Sequence, residues 1–182
     1  MVLLKGRRGV YVAVLATFFQ CLCMGQSLAA GFELESVGAR GGLSDNANFT
    51  QVEGFIDWNL PWRWDWTSDW HLQTKLDSSL GWVQAESRSA AIGAAGPGLM
   101  LKYDQVPVTL EGSFCPTFMS RSTFGEKDLG SVVQFTTGVG LNLDITKHIR
   151  IGYRFSHMSN AGIDSKHNDG LNMHMVALSY VF

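Results

Sequence analysis

Trp70-His71-Leu72-Gln73-Thr74-Lys75-Leu76-Asp77-Ser78-Ser79-Leu80-Gly81-Trp82 is the stretch that decides the fold. Its odd and even positions have opposite character. Trp70, Leu72, Thr74, Leu76, Ser78, Leu80 and Trp82 fall on one side, and His71, Gln73, Lys75, Asp77, Ser79 and Gly81 on the other. Successive side chains of a strand point to opposite faces, so a period of two predicts one long strand with an apolar face and a polar face.

The same alternation recurs along the chain. Thr50, Val52, Gly54, Ile56 and Trp58 oppose Gln51, Glu53 and Asp57; Val108, Leu110, Gly112, Phe114 and Phe118 oppose Thr109, Glu111, Ser113 and Thr117. Val133, Phe135, Val139, Leu141, Leu143 and Ile145 oppose Gln134, Thr136, Asn142 and Asp144. Weaker segments near Phe32 to Arg40 and Ala90 to Tyr103, a strand from Ile149 and a final strand bring the expected number to eight. Turn residues separate them at Ser44-Asp45-Asn46, Asn59-Leu60-Pro61, Ser87-Arg88-Ser89, Asp104 to Pro107, Arg121 to Lys127, Thr146-Lys147 and Ala161 to Leu171. The glycine-rich Gly93 to Gly98 follows no phosphate-loop pattern and reads as a bend within a strand. Eight strands with short connections predict an all-β fold, an eight-stranded antiparallel up-and-down β-barrel.

Which face is oily separates two barrels. A soluble lipocalin-like barrel buries its apolar row, whereas a transmembrane barrel turns that row to lipid and fills its interior with polar side chains. The polar rows carry Glu53, Asp57, Lys75, Asp77, Glu111, Arg150 and Arg154, a mixed-sign set able to pair in a narrow lumen. All six tryptophans fall between Trp58 and Trp82, five of them in Trp58 to Trp70, as an interfacial girdle would require. Val176, Leu178, Tyr180 and Phe182 end the chain on one face, like the signal read by outer-membrane assembly machinery. The expectation is a membrane barrel with a filled interior and no pore. A soluble ligand-binding barrel remains the competing reading, and it would be recovered from a periplasmic fraction without detergent.

Residues 1–30 are set apart. Lys5, Arg7 and Arg8 precede an apolar run from Val10 to Phe19, and Ser27-Leu28-Ala29-Ala30 offers small residues at cleavage spacing, the pattern of a secretory signal peptide. The run is shorter than the ~20 residues a spanning helix needs. The expected division is therefore a signal peptide over 1–30 and a barrel over 31–182. The whole chain has 14 basic and 16 acidic residues; removing the segment takes three basic residues and changes net −2 to net −5. No basic patch supports nucleic-acid binding. Cys115 alone lies outside the leading segment, which excludes a disulfide framework, and no base accompanies it as a nucleophile would need. His71 reads as a lumen residue, His148 as a turn residue, and no spacing of His, Cys, Asp or Glu suggests a metal site.

Candidate chemistry lies at the end of one strand. Ile149, Ile151, Tyr153 and Phe155 alternate with Arg150, Gly152, Arg154 and Ser156, so His157 and Ser159 continue the apolar, lipid-facing row. By the parity of the final strand, Asn172 and His174 also point outward, and pairing of adjacent strands brings Asn172 near His157 and Ser159. Polar groups facing lipid are costly. A serine nucleophile needs a base, and the base needs an orienting group; Ser159, His157 and Asn172 supply those types.

His157-Met158-Ser159-Asn160-Ala161-Gly162, followed by Asn168-Asp169-Gly170-Leu171-Asn172, resembles the active-site region of PagL-type lipid A 3-O-deacylases, eight-stranded outer-membrane esterases. The resemblance extends through Leu129-Gly130-Ser131 and Gln134-Phe135, and more loosely through the tryptophan-rich segment. It implies Ser159 as nucleophile, His157 as general base, and Asn160 with the backbone N–H groups of Ala161 and Gly162 as oxyanion site. It further implies an ester-linked 3-hydroxyacyl chain of lipid A as substrate, reached from the outer leaflet, with no metal or cofactor. The expected partners are lipopolysaccharide and the outer membrane, with a homodimer as an option. The chain departs from the family at the third member, carrying Asn172 where the family has glutamate; Asp169, Asp164 and His174 are the candidate substitutes. In a serine protease, an amide in place of the triad carboxylate costs ~10⁴ in kcat. A non-catalytic barrel with a structural or adhesive role is the alternative function.

Overall fold

A computed structural model describes residues 31–45, 48–162 and 169–182. Residues 1–30, the anticipated signal peptide, lie outside the described residues, as do Asn46 of the first anticipated turn and Asp164. In order come β1 (Glu33–Ser44), β2 (Phe49–Asp65), β3 (Trp70–Ala85), β4 (Arg88–Tyr103), β5 (Val108–Met119), β6 (Thr123–Phe124), β7 (Lys127–Asp128), β8 (Val133–Asp144), β9 (Ile149–Ser159) and β10 (Leu171–Val181). Eight of these close a barrel in the order β1-β10-β9-β8-β5-β4-β3-β2, with every neighbouring pair antiparallel, while β6 and β7 form a separate small hairpin. Closure removes exposed strand edges. Both ends of the barrel chain, Glu33 and Val181, lie at one rim, here the terminal end, and the β9–β10 connection lies at the opposite, loop end.

The alternation holds as anticipated, with the apolar rows outside. On β3 Leu80 and Trp82 are 47% and 48% exposed while Lys75 and Asp77 are 0% and 1%. The lumen is a charge lattice. Lys75 Nζ lies 3.1 Å from Asp57 and 2.8 Å from Glu111; Arg154 Nη1 lies 3.2 Å from Asp77 and 3.1 Å from Glu111. Arg40 pairs with Glu53 and with Asp77, and nearer the terminal end Arg150 joins Glu35 at 3.2 Å and Asp144 at 2.5 Å. Gly138 makes the lattice possible, because a Cβ there would collide with the Arg154 guanidinium. Toward the loop end the interior turns apolar: Phe49, Val83, Ile92, Met119, Met158, Leu171 and Met173 enclose Phe124 of β6, which meets Phe49 edge-on at 5.0 Å. The hairpin thus stoppers the barrel.

One anticipated turn is corrected. Asn59-Leu60-Pro61 lies inside β2, where the pairing with β3 passes from Asn59↔Lys75 to Arg63↔Gln73, a bulge that leaves extra residues on β2. Pro61 has no N–H for the ladder. Side chains of β3 take up the freed carbonyls instead: Gln73 Nε2 donates to Leu60 O at 2.6 Å and Thr74 Oγ1 donates to Trp62 O at 2.8 Å. The actual reversal follows Asp65; Trp66 N donates to Trp70 O at 3.1 Å, and Thr67 Oγ1 accepts from Asp69 N and Trp70 N. Trp62, Trp64, Trp66 and Trp70 are all exposed there, so the aromatic belt is at the terminal end. The Arg121 to Lys127 turn is also more structured than its sequence suggests, since it contains most of the stoppering hairpin.

Candidate active site

Strand parity and register place three of the anticipated residues together on the outer face. His157 is exposed and Ser159 half-buried, while Met158 and Asn160 between and beyond them are buried on the lumen side. Asn172 of β10 is the direct register partner of His157. Its Oδ1 lies 2.7 Å from His157 Nδ1. An amide oxygen only accepts, so Nδ1 carries the proton and Nε2 keeps its lone pair, the tautomer a general base requires. Asn172 Nδ2 donates in turn to Asp45 Oδ2 at 3.3 Å. In this orientation both ends of the Asn172 amide are hydrogen-bonded.

Ser159 lies two residues beyond His157 on the same face, opposite Phe135 of β8. Among the described residues no hydrogen bond joins its hydroxyl to the imidazole. Catalytic hydrogen bonds commonly tighten only when substrate is bound. The ring is bounded from the loop by Gly170, which has φ +59°, and a Cβ at Gly170 would stand 3.0 Å from His157 Cε1 and 3.7 Å from Nε2. Glycine here meets two demands: a left-handed backbone and close approach of the imidazole.

The anticipated oxyanion residues form a turn directly after Ser159. Ala161 has φ +52° and Gly162 φ +71°. Asn160 is 1% exposed and points inward, where its Nδ2 donates to Leu129 O at 3.4 Å and its Oδ1 accepts Gly162 N–H at 2.8 Å. Its side chain therefore shapes the turn from beneath. Leu129 O also accepts from Gln134 Nε2 at 3.1 Å, so the Leu129-Gly130-Ser131 stretch forms the floor under the site.

Of the substitutes for an acid, Asp164 lies outside the described residues, and the other two have partners other than His157. Asp169 faces Lys127 at 3.6 Å, and His174 Nδ1 is 2.6 Å from Tyr153 Oη. Asp45 is the residue that sequence reasoning missed; it lay in an anticipated turn, about 130 positions from Asn172, and no local pattern marked it. Away from the site, Cys115 is buried in the lumen, His71 is held between Asp65 at 2.6 Å and Asp104 at 2.9 Å, and His148 Nδ1 donates to Val181 O at 3.0 Å. Among the described residues no group of three or more His, Cys, Asp or Glu side chains is placed to hold a metal ion.

Residues 51–181 match the family described as Lipid A 3-O-deacylase (PagL). The chain belongs to the PagL family. A relative from Bordetella bronchiseptica, named Lipid A deacylase PagL, is 33% identical over 101 residues, covering 50% of this chain and 56% of the relative. The chain thus spans about half the length of that relative. A crystal structure described as the outer membrane enzyme PagL superposes with a TM-score of 0.72 at 20% identity, covering 81% of this chain and 99% of the other. At that identity the likeness concerns the fold, which is the PagL-type outer-membrane barrel. The protein is accordingly an outer-membrane β-barrel of Gram-negative bacteria. Within the PagL match fall His157, Ser159 and Asn172, whereas Asp45 precedes it.

Proposed function

We propose that this protein is a serine esterase that removes the ester-linked 3-hydroxyacyl chain from position 3 of lipid A. The observation that carries the reading is the oriented imidazole on the lipid-facing wall, its Nδ1 fixed by Asn172 at 2.7 Å and Ser159 next on the same face. Membership of the PagL family supplies the substrate class.

In the proposed reaction His157 Nε2 takes the Ser159 hydroxyl proton as Oγ attacks the ester carbonyl. The negative oxygen is received at the turn of Asn160, Ala161 and Gly162. Ala161 N–H is the leading donor, because Gly162 N–H is held by Asn160 Oδ1 in the resting arrangement. A donor aimed at the developing oxyanion is worth ~3 kcal/mol. The tetrahedral centre collapses, the carbon–oxygen bond to the sugar breaks, and His157 returns its proton to the departing sugar oxygen. Water, deprotonated by His157, then cleaves the acyl–Ser159 ester, releasing a 3-hydroxy fatty acid. No step calls on a metal or cofactor.

In this reading the loop end lies at the outer leaflet and both chain ends at the periplasmic side, with 1–30 as a signal peptide removed on export. Lipid A then reaches the site sideways from the membrane. The stack of Phe135 on Phe114, with ring centres 5.7 Å apart, adjoins Ser159 on that wall and offers the acyl chain an apolar track. The test is labelling of the purified, micelle-refolded protein with a fluorophosphonate. An adduct on Ser159 that is lost in His157→Ala supports the activated serine; an unlabelled but folded wild type leaves a silent barrel as the better account.

A further inference from the structure

Replacement of a triad carboxylate by an amide raises a specific difficulty. An amide has a donor end and an acceptor end of nearly equal shape, and only the acceptor end selects the Nδ1–H tautomer that leaves Nε2 basic. Asn172 lies on the exposed outer wall, so nothing in β10 itself determines which end faces His157.

The loop after β1 resolves this. Asp45 Oδ2 accepts from Asn172 Nδ2 at 3.3 Å while Asn172 Oδ1 faces His157 Nδ1 at 2.7 Å. A carboxylate accepts and cannot donate, so the flipped amide would set its oxygen against Asp45 and its NH₂ against Nδ1. The same Asp45 oxygen is 3.8 Å from His174 Nε2, whose other nitrogen is held by Tyr153 Oη. His174 thus borders the carboxylate, beyond hydrogen-bond distance.

We infer that Asp45 is a positioning residue: it acts through Asn172 to lock the His157 tautomer, and so supplies, one residue removed, the orienting carboxylate that Asn172 itself lacks. The proposal rests on His157 being the general base described above. It accounts for an amide at position 172 in an otherwise family-like site.

The test combines a spectroscopic and a kinetic measurement on the full barrel refolded in detergent micelles, with folding checked by heat-modifiable gel mobility. In ¹⁵N spectra of histidine-labelled protein, with the His157 signal assigned by His157→Gln, the wild type should show His157 as the Nδ1–H tautomer. Asp45→Ala should convert it to a mixture, and Asp45→Asn, which keeps an acceptor, should restore the wild-type signal in part. On lipid A, Asp45→Ala should lower kcat by about 10-fold to 100-fold with KM little changed. In an Asn172→Glu background, where a carboxylate meets His157 directly, the same Asp45→Ala change should be neutral or beneficial. An unchanged tautomer in Asp45→Ala, or an equal kcat loss in both backgrounds, overturns the proposal. A wild type inert toward lipid A would overturn the esterase reading instead, while the tautomer measurement would still decide the role of Asp45.

Discussion

Gly170→Ala perturbs the site by one methyl group at a defined distance. The added Cβ would stand 3.0 Å from His157 Cε1, against an optimal carbon–carbon separation of about 3.5–4.0 Å. The imidazole must therefore retreat by about half an ångström, and it does so against Asn172, already 2.7 Å from Nδ1. If a 1 Å misplacement costs about 10²-fold in rate, half of that costs about 10-fold in kcat, or ~1.4 kcal/mol of barrier. Separately, a non-glycine residue at φ +59° carries about 1–2 kcal/mol of backbone strain, which enters folding stability. The assay is release of 3-hydroxy fatty acid from lipid A in mixed micelles, with kcat and KM separated and the folded fraction measured on gels. A tenfold lower kcat at similar KM is expected. A fully folded Gly170→Ala protein with wild-type kcat would refute the view that the β9–β10 loop fixes the base.

Other perturbations follow from the same geometry. Lys75→Met leaves Glu111 with Arg154 at 3.1 Å but takes from the buried Asp57 the ammonium 3.1 Å away; breaking such a pair costs ~3–5 kcal/mol, so the urea midpoint of the refolded barrel should fall sharply. Adding Asp57→Asn should recover much of that loss, which a simple packing defect would not allow. Phe135→Ala removes the aromatic wall beside Ser159 and should raise KM for long-chain esters more than it lowers kcat, with a smaller effect on short soluble esters. Asn160→Ala withdraws the acceptor of Gly162 N–H and the donor to Leu129 O; it should lower kcat by distorting the turn, and a circular-dichroism spectrum like that of the wild type would separate this from global unfolding.

Much of this was legible because strand periodicity is a local signal. The two faces of Trp70 to Trp82, the charged lumen and the outward direction of His157, Ser159, Asn172 and His174 all follow from counting by twos, and antiparallel pairing then set Asn172 opposite His157. Pro61 misled because a missing N–H terminates a strand or bulges it, and only the rescue of Leu60 and Trp62 carbonyls by Gln73 and Thr74 decides between them. The stopper was hidden for another reason: Phe124 and Leu129 lie in a connection with no period, and their burial comes from the barrel mouth around them. Asp45 was hidden for the same reason, since its value depends on a residue brought alongside by closure of β1 onto β10.

The most direct test of the central claim is mass spectrometry of lipid A from Gram-negative cells expressing the wild type, Ser159→Ala or His157→Ala, each shown to reach the outer membrane as a folded barrel. Loss of one 3-hydroxyacyl group with the wild type alone is the predicted result. Unchanged lipid A with a folded wild type, or equal deacylation by the Ser159→Ala protein, would contradict the account.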